Sequence, residues 1–380
     1  MIHRTVATID SIVLEREGAQ EIIVSVVENQ GGISGKRNAL NLIELTGRVS
    51  VGDSVLLNTI AVEMGLGTGG LDFVIAKLDD TVMESDPAGH IFKLRYTPLQ
   101  MPVLSSEAPE SPYHEAIKKF DSLCELPVIC AELHSQLPPI CAGILWHLKE
   151  AQFNRTPKIA YLMTQGASLP IALSKSVSEL KAKGWISSTI TSGQAFGGDY
   201  EAVNIYSALA IAKEVVKADI VVMCQGPGNV GTDTSLGFSG IEQGEAVNAV
   251  ASLGGNPFIC PRISFSDTRE RHEGLSHHTF TILKRICHVH ATVALPRFRD
   301  MHQQGVIQDE INSARLEERY DFVTIDGEPG LAFLQNSGLS VCTMGRSLNE
   351  DVSYFLTAVV SGVLGGQSVE TQRSELSGRE

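Results

Sequence analysis

The chain has 380 residues, 43% hydrophobic, 6% aromatic and 19% charged, with 35 glycines. That length suits two domains with cores of their own, and so low a charge content excludes an intrinsically disordered protein. Thirty Lys and Arg against 44 Asp and Glu leave a formal charge of −14, a surface that repels phosphate backbones and anionic lipid headgroups.

The first residues include Arg4, Asp10 and Glu15 with no continuous apolar run, so no secretory signal is expected. No run approaches the roughly 18 apolar residues of a membrane span. The cysteines are odd in number and lack a CxxC pair, and Cys130, Cys224, Cys260 and Cys342 lie in or beside apolar runs. That usage reads as buried, reduced thiols in a cytoplasmic protein.

Residues 1–100 read as six short strands, Ile2–Ile12, Glu21–Val27, Ala39–Leu45, Ser54–Asn58, Leu71–Ala76 and His90–Tyr96, separated by turn signals such as Glu17-Gly18, Gly31-Gly32 and Gly52-Asp53. A small all-β, barrel-like domain is expected. An oligonucleotide-binding role is disfavoured, because the segment holds 8 Lys/Arg against 13 Asp/Glu. A structural or oligomerising module fits better, which leaves a homo-oligomer open. Pro98, Pro102, Pro109 and Pro112 follow, and residues 101–126 read as a proline-rich linker without helix or ladder.

From 127 to 366 short apolar runs alternate with amphipathic segments. This repetition predicts a Rossmann-like α/β domain, a mostly parallel sheet with helices on both faces. The tail, 367–380, is polar and expected to fray. Unusual loops follow five of the runs: His134–Pro139, Thr164–Ser168, Gly193–Asp199, Gln225–Thr234 and Ser266–His278. In a parallel sheet all five emerge at the carboxyl edge, where ligands bind.

Gly226, Gly228 and Gly231 spell G-x-G-x-x-G after an apolar run. Thr232–Gly240 intervenes before the next helix, against a dinucleotide fingerprint, and Thr232 stands where a Walker lysine belongs. What remains is an anion cradle of Gly226, Gly228, Gly231 and Thr232, joined by Gly197 and Gly198. Residues Arg262–His302 are the electrostatic exception, with 7 Lys/Arg, 4 Asp/Glu and six of the eleven histidines. Arg269 and Arg271 can clamp a phosphate or carboxylate, while a histidine moves the proton. His272-Glu273 and His277 form HExxxH, one residue too long for the helical zinc motif, and Gly274 opposes the helix it needs. No metal ligand or cofactor is therefore assigned; a loop site through Asp267, His272, His277 and His278 is the alternative. His288 and His290 read as packed or surface residues.

Nucleophile motifs fail. Gly237-Phe238-Ser239-Gly240 is one residue short of G-x-S-x-G. Ser135 and His134 are adjacent on an extended chain and point apart. Cys224 reads as core before nucleophile.

Several strings, Leu66–Gly70, His90–Pro98, Glu132–Ser135, Gly193–Asp199, Gly226–Thr232 with Leu236–Gly240, Arg262–His278 and Thr343–Arg346, resemble the bacterial domain-of-unknown-function 3866 family over nearly the whole chain. The resemblance implies no activity or site residue. Gln165 and Asp233 depart from its pattern, where aspartate and glycine are common. The functional expectation is an enzyme, a hydrolase or transferase, acting on a small anionic metabolite that is phosphorylated or nucleotide-like. Asp267 would orient a histidine among His134, His272, His277 and His278. Neither nucleic acid nor membrane is an expected partner. A non-catalytic sensor using the same crevice is the alternative.

Overall fold

Alternating inward and outward residues close the N-terminal segment into a barrel. The computed structural model describes residues 2–26, 35–78 and 89–377. It forms two units, Met1–Leu104 with Pro170–Ser178, and Ser105–Leu169 with Glu179–Glu380. In the first, β1 (Arg4–Arg16), β2 (Ala19–Val26), β3 (Gly35–Leu42), β4 (Ser54–Asn58) and β5 (Asp72–Lys77) close in the order β1-β2-β3-β5-β4. The β3–β5 pair is parallel and the others are antiparallel. Ile9, Ile22, Val24, Val55 and Leu57 fill the interior. Two short helical turns, α1 (Ile43–Thr46) and α2 (Ile60–Glu63), lie between strands. The expected Gly31-Gly32 turn lies outside the described residues.

The sixth expected strand is not part of the barrel. β6 (Ile91–Lys93) pairs instead with β7 (Met101–Val103), opposite the predicted linker's first residues. Pro102 is tolerated there because a two-stranded ladder leaves it an outer edge. The rest of that linker carries α3 (His114–Lys118) and buries Leu123 and Leu126, so the absence of helix and ladder expected over 101–126 is corrected.

In the second unit, strands and helices alternate as the sequence pattern requires. The strands are β8 (Pro127–Ala131), β9 (Ile159–Thr164), β10 (Ser188–Ser192), β11 (Tyr200–Ala202), β12 (Ile220–Gln225), β13 (Asn256–Cys260), β14 (Ile263–Ser264), β15 (Gly274–Leu275), β16 (Ala291–Pro296), β17 (Tyr320–Ile325), β18 (Cys342–Thr343) and β19 (Arg346–Ser347). Eight of them form one parallel sheet in the order β11-β10-β9-β12-β8-β13-β16-β17. The helices are α4 (Leu137–Glu150), α5 (Lys175–Ala182, of which Lys175–Ser178 is counted with the first unit), α6 (Ile205–Ile211), α7 (Glu242–Ser252), α8 (His277–Thr281), α9 (Met301–Ser313), α10 (Glu328–Gln335) and α11 (Val352–Ser377). Every residue of β8, β9 and β12 is buried. Successive side chains point to opposite faces, so both faces are covered.

β18 and β19 pair as a small hairpin outside the large sheet. Two expectations change here. The last helix runs on to Ser377, and Val369 is buried, so most of the polar tail is helical and not frayed. Cys342 is exposed, as is Cys124, while Cys130, Cys141, Cys224, Cys260 and Cys287 are buried; all are free thiols. Helix α11 is long and apolar enough to cross a bilayer, yet most of it is buried inside the fold, as the core helix of a globular unit would be.

Helices α4 and α11 cross in near backbone contact. A Cβ on Gly143 would overlap the Val359 carbonyl oxygen, and one on Gly362 would overlap that of Ile140. Gly143→Ala gains about 1 kcal/mol of helix propensity but must push the helices apart, an overpacking that costs about 1–3 kcal/mol. A lower melting temperature is expected; an unchanged or higher one would show that the helices separate freely.

Candidate functional site

The parallel ladder assembles the first part of the site. Ala131 of β8 lies opposite Cys260 of β13, so the chain just beyond each strand places Glu132 beside Arg262, with Nη1 3.5 Å from Oε1. Beyond Arg262 the chain forms the β14–β15 ladder, with Ile263 opposite Leu275 and Ser264 opposite Gly274. Gly274 sits at φ +68°, and a Cβ there would meet the Glu310 carboxylate at 2.8 Å. That carboxylate accepts the Leu275 N–H at 2.9 Å, so only glycine fits this return. Ser276 then caps α8: its Oγ accepts the His278 N–H at 3.3 Å and lies 2.8 Å from His272 Nδ1.

This short segment gathers three imidazoles. Ring centroids of His272, His277 and His278 lie 4.3–4.9 Å apart, and one nitrogen from each falls within 4.8 Å of the others. His278 Nδ1 is 2.7 Å from Glu132 Oε1, which leaves its Nε2 free of that bond, and Nε2 of His277 is buried without a partner. Phe238 stacks on His278, centroids 3.8 Å apart and planes 3° from parallel. Burial, then the charges of Arg262 and Arg269, pushes His272 down to about 3. Burial and His278 also lower His277, so both present neutral lone pairs at neutral pH. Burial alone would raise Glu132, but His278 and Arg262 outweigh it and hold its carboxyl below the ordinary value.

Three imidazoles, one oriented by a buried carboxylate and, among the described residues, without a fourth ligand in the group, could hold a transition-metal ion. The alternative loop site through Asp267, His272, His277 and His278 narrows to the three histidines, without Asp267. That carboxylate is instead the hub of three arginines. Its partners are Arg269 at 2.7 Å, Arg262 at 3.3 Å and Arg346 at 3.3 Å. Burial opposes its charge, but Arg269 and Arg262 hold its carboxyl well below the usual range. Glu132, not Asp267, orients the histidine.

A family model described as a protein of unknown function (DUF3866) matches residues 38–362. The chain belongs to the DUF3866 family. No curated protein and no solved structure matches it. Every residue of the candidate centre of this DUF3866 chain lies within the matched span.

The remaining expected residues disperse. His134 turns to the Tyr161 hydroxyl, 3.1 Å away, and burial pushes it down to about 4. Its neighbour Ser135 bonds to Tyr354 at 2.6 Å. The Gly197 N–H is taken by Glu201 and the Gly198 N–H by Thr191, which removes both from an anion cradle. The 226–232 loop folds back on itself: Thr232 N–H donates to Gly237 O at 2.9 Å, and Val230 N–H to Ser239 Oγ at 3.1 Å. Gly226 packs against Ser168, Gly228 stands exposed at φ +102°, and Gly231 passes His278, where a Cβ would lie 3.8 Å from Cε1. The loop is thus a flap beside the imidazoles. Arg269 is committed to Asp267 by two hydrogen bonds, whereas Arg271 pairs with Asp233 in an exposed bridge of 2.8 Å. Gln165 accepts the Gln194 N–H at 2.8 Å. Burial raises the Cys224 thiol to about 12, which ends its candidacy as a nucleophile.

Proposed function

We propose that this chain is a metal-dependent hydrolase or transferase acting on a small anionic metabolite, with one first-row transition ion, zinc first, on His272, His277 and His278. The observation that carries the reading is the three-imidazole cluster with Glu132 on His278 Nδ1. Tetrahedral zinc at about 2.0–2.1 Å from each nitrogen needs nitrogens about 3.4 Å apart. The widest spacing here is 4.8 Å, so the nitrogens would have to draw together by about 1.4 Å to reach it. His272, His277 and His278 would hold the ion and Glu132 would orient His278; the chemistry the ion would supply is activation of water for attack on an ester or phosphoryl group. Arg271 is the substrate's anion contact. Its exposed bridge to Asp233 is worth at most about 1 kcal/mol and yields to a better partner.

The strand order supports a Rossmann-like reading of the sheet. From β8 the chain proceeds to one side through β9, and from the adjacent β12 it returns to the other side through β13. Right-handed crossovers then leave a crevice at the carboxyl ends of β8 and β12. The acidic barrel favours no nucleic-acid partner.

The test strips the full chain of metal, restores one equivalent of Zn²⁺, and assays phosphate esters, nucleotides, sugar phosphates and carboxylate esters. Turnover is expected only with metal, and Arg271→Ala should raise KM with kcat kept, the mark of a binding contact. Thermal stabilisation by a ligand with no turnover would make the chain a sensor and end the enzyme reading.

A further inference from the structure

Directly behind Glu132 lies a second group of polar atoms that the imidazole centre does not use. A cavity of about 10 Å³ is lined by Glu132, Thr164, Gln225, Glu242 and Gln243, drawn from the carboxyl ends of β8, β9 and β12 and the start of α7. That volume holds one water-sized occupant. Glu132 Oε2, Thr164 Oγ1, Gln225 Oε1, Glu242 Oε2 and Gln243 Oε1 are all buried without a hydrogen-bond partner. Glu132, Gln225 and Gln243 are 0%, 2% and 3% exposed.

The two amides cannot be turned to supply donors. Gln225 Nε2 donates to the Glu132 carbonyl at 3.0 Å and to Asn229 Oδ1 at 2.8 Å. Asn229 is itself fixed, since the same Oδ1 accepts the Gly240 N–H at 3.0 Å. Gln243 Nε2 donates to the carbonyls of Cys130 and Cys260, both at 2.8 Å. Flipping either amide would set oxygen against oxygen, so both carbonyl oxygens must face the cavity. Burial raises the Glu242 carboxyl against the pull of the Thr164 hydroxyl and the Gly166 N–H; with Glu242 ionised these donors are spent on it, and one water brings two hydrogens to the remaining acceptor oxygens of Glu132, Gln225 and Gln243. A cation satisfies all five oxygens at once.

We propose that this chamber binds a single dehydrated hard cation, Ca²⁺ in preference to Mg²⁺, through the side-chain oxygens of Glu132, Thr164, Gln225, Glu242 and Gln243. Cys224 also lines the cavity, but burial raises its thiol to about 12, so it offers no thiolate; the five oxygens favour a hard ion, and two carboxylates a divalent one. Mg²⁺ gives up its waters reluctantly, and this volume has no room for them. Because the other Glu132 oxygen holds His278 Nδ1, the ion also fixes the carboxylate that orients the imidazole centre.

The experiment uses the full chain, stripped with a chelator and titrated separately with Ca²⁺, Mg²⁺, Na⁺ and Zn²⁺, read by calorimetry and melting temperature. The expected result is one Ca²⁺ per chain, binding roughly tenfold or more tighter than Mg²⁺. Glu242→Gln and Thr164→Val should each weaken Ca²⁺ roughly tenfold or more, while His277→Ala leaves it unchanged. That last arm separates this chamber from the imidazole centre. No Ca²⁺ binding, or Ca²⁺ binding equal in wild type and both chamber variants, overturns the proposal. So does a crystal structure of the Ca²⁺-treated chain with an ordered water in the chamber, the occupant that a protonated Glu242 would accept.

Discussion

Alanine at His277 is expected to strip the transition metal from the chain while leaving the fold in place. His277 is one of three ligands, and the loss of even an outer hydrogen-bond partner of a ligand lowers metal affinity about 10–100-fold. Losing the ligand itself should exceed about 100-fold, or about 2.7 kcal/mol, with turnover falling alongside. The substitution spares the His272–Ser276 and His278–Glu132 hydrogen bonds, and the half-buried ring leaves no sealed void. The metal-free variant should therefore melt within about 1 kcal/mol of the metal-free parent. Metal content after gel filtration and a melting curve of the stripped proteins check both halves. A variant that retains a full equivalent of metal would remove His277 from the centre.

Asp267→Asn is expected to be the most damaging substitution for stability. The side chain is 1% exposed and faces three guanidinium groups, of which Arg262 is 4% exposed. Removing one partner of a buried charge network leaves charge without compensation, at a cost of about 3–5 kcal/mol. The pH dependence fixes the sign. The folded carboxyl is held below its unfolded value by Arg269 and Arg262, so its contribution is complete above about pH 4 and lost as pH falls through the folded value. The gap between parent and variant should be full at neutral pH and shrink in acid. Urea titrations at a series of pH values measure it; a gap that widens below about pH 4 would contradict the assigned charge state.

Much of the architecture was legible because it follows from period and punctuation. The alternating N-terminal segment became a barrel, and the alternation of apolar runs with amphipathic segments became a parallel sheet covered on both faces. What stayed hidden has local causes. The start of the Leu137–Glu150 helix was hidden in the loop read over His134–Pro139, because Pro138 and Pro139 stand there, although proline is compatible with the first helical turn. Tyr200–Ala202 was masked by the glycines before it; an edge strand of three residues carries almost no periodic signal.

The site divides the same way. His272, His277 and His278 were visible because the return through β14, β15 and the Ser276 cap gathers residues within one short segment. The role of Asp267 was misread because one of its partners, Arg346, is supplied by the β18–β19 hairpin far along the chain. Glu132 stood only at the head of a family string and was given no role. A lone carboxylate after an apolar strand looks like any surface acid, and only its burial, its bond to His278 and its second, unpartnered oxygen distinguish it. An acidic residue immediately after a fully apolar strand of a parallel sheet was the one available clue.

X-ray absorption at the zinc edge on the singly loaded chain bears most directly on the imidazole centre. Three imidazole nitrogens and one further oxygen at about 2.0–2.1 Å are predicted. Sulfur at about 2.3 Å, an all-oxygen shell, or a spectrum unchanged in His277→Ala would contradict it.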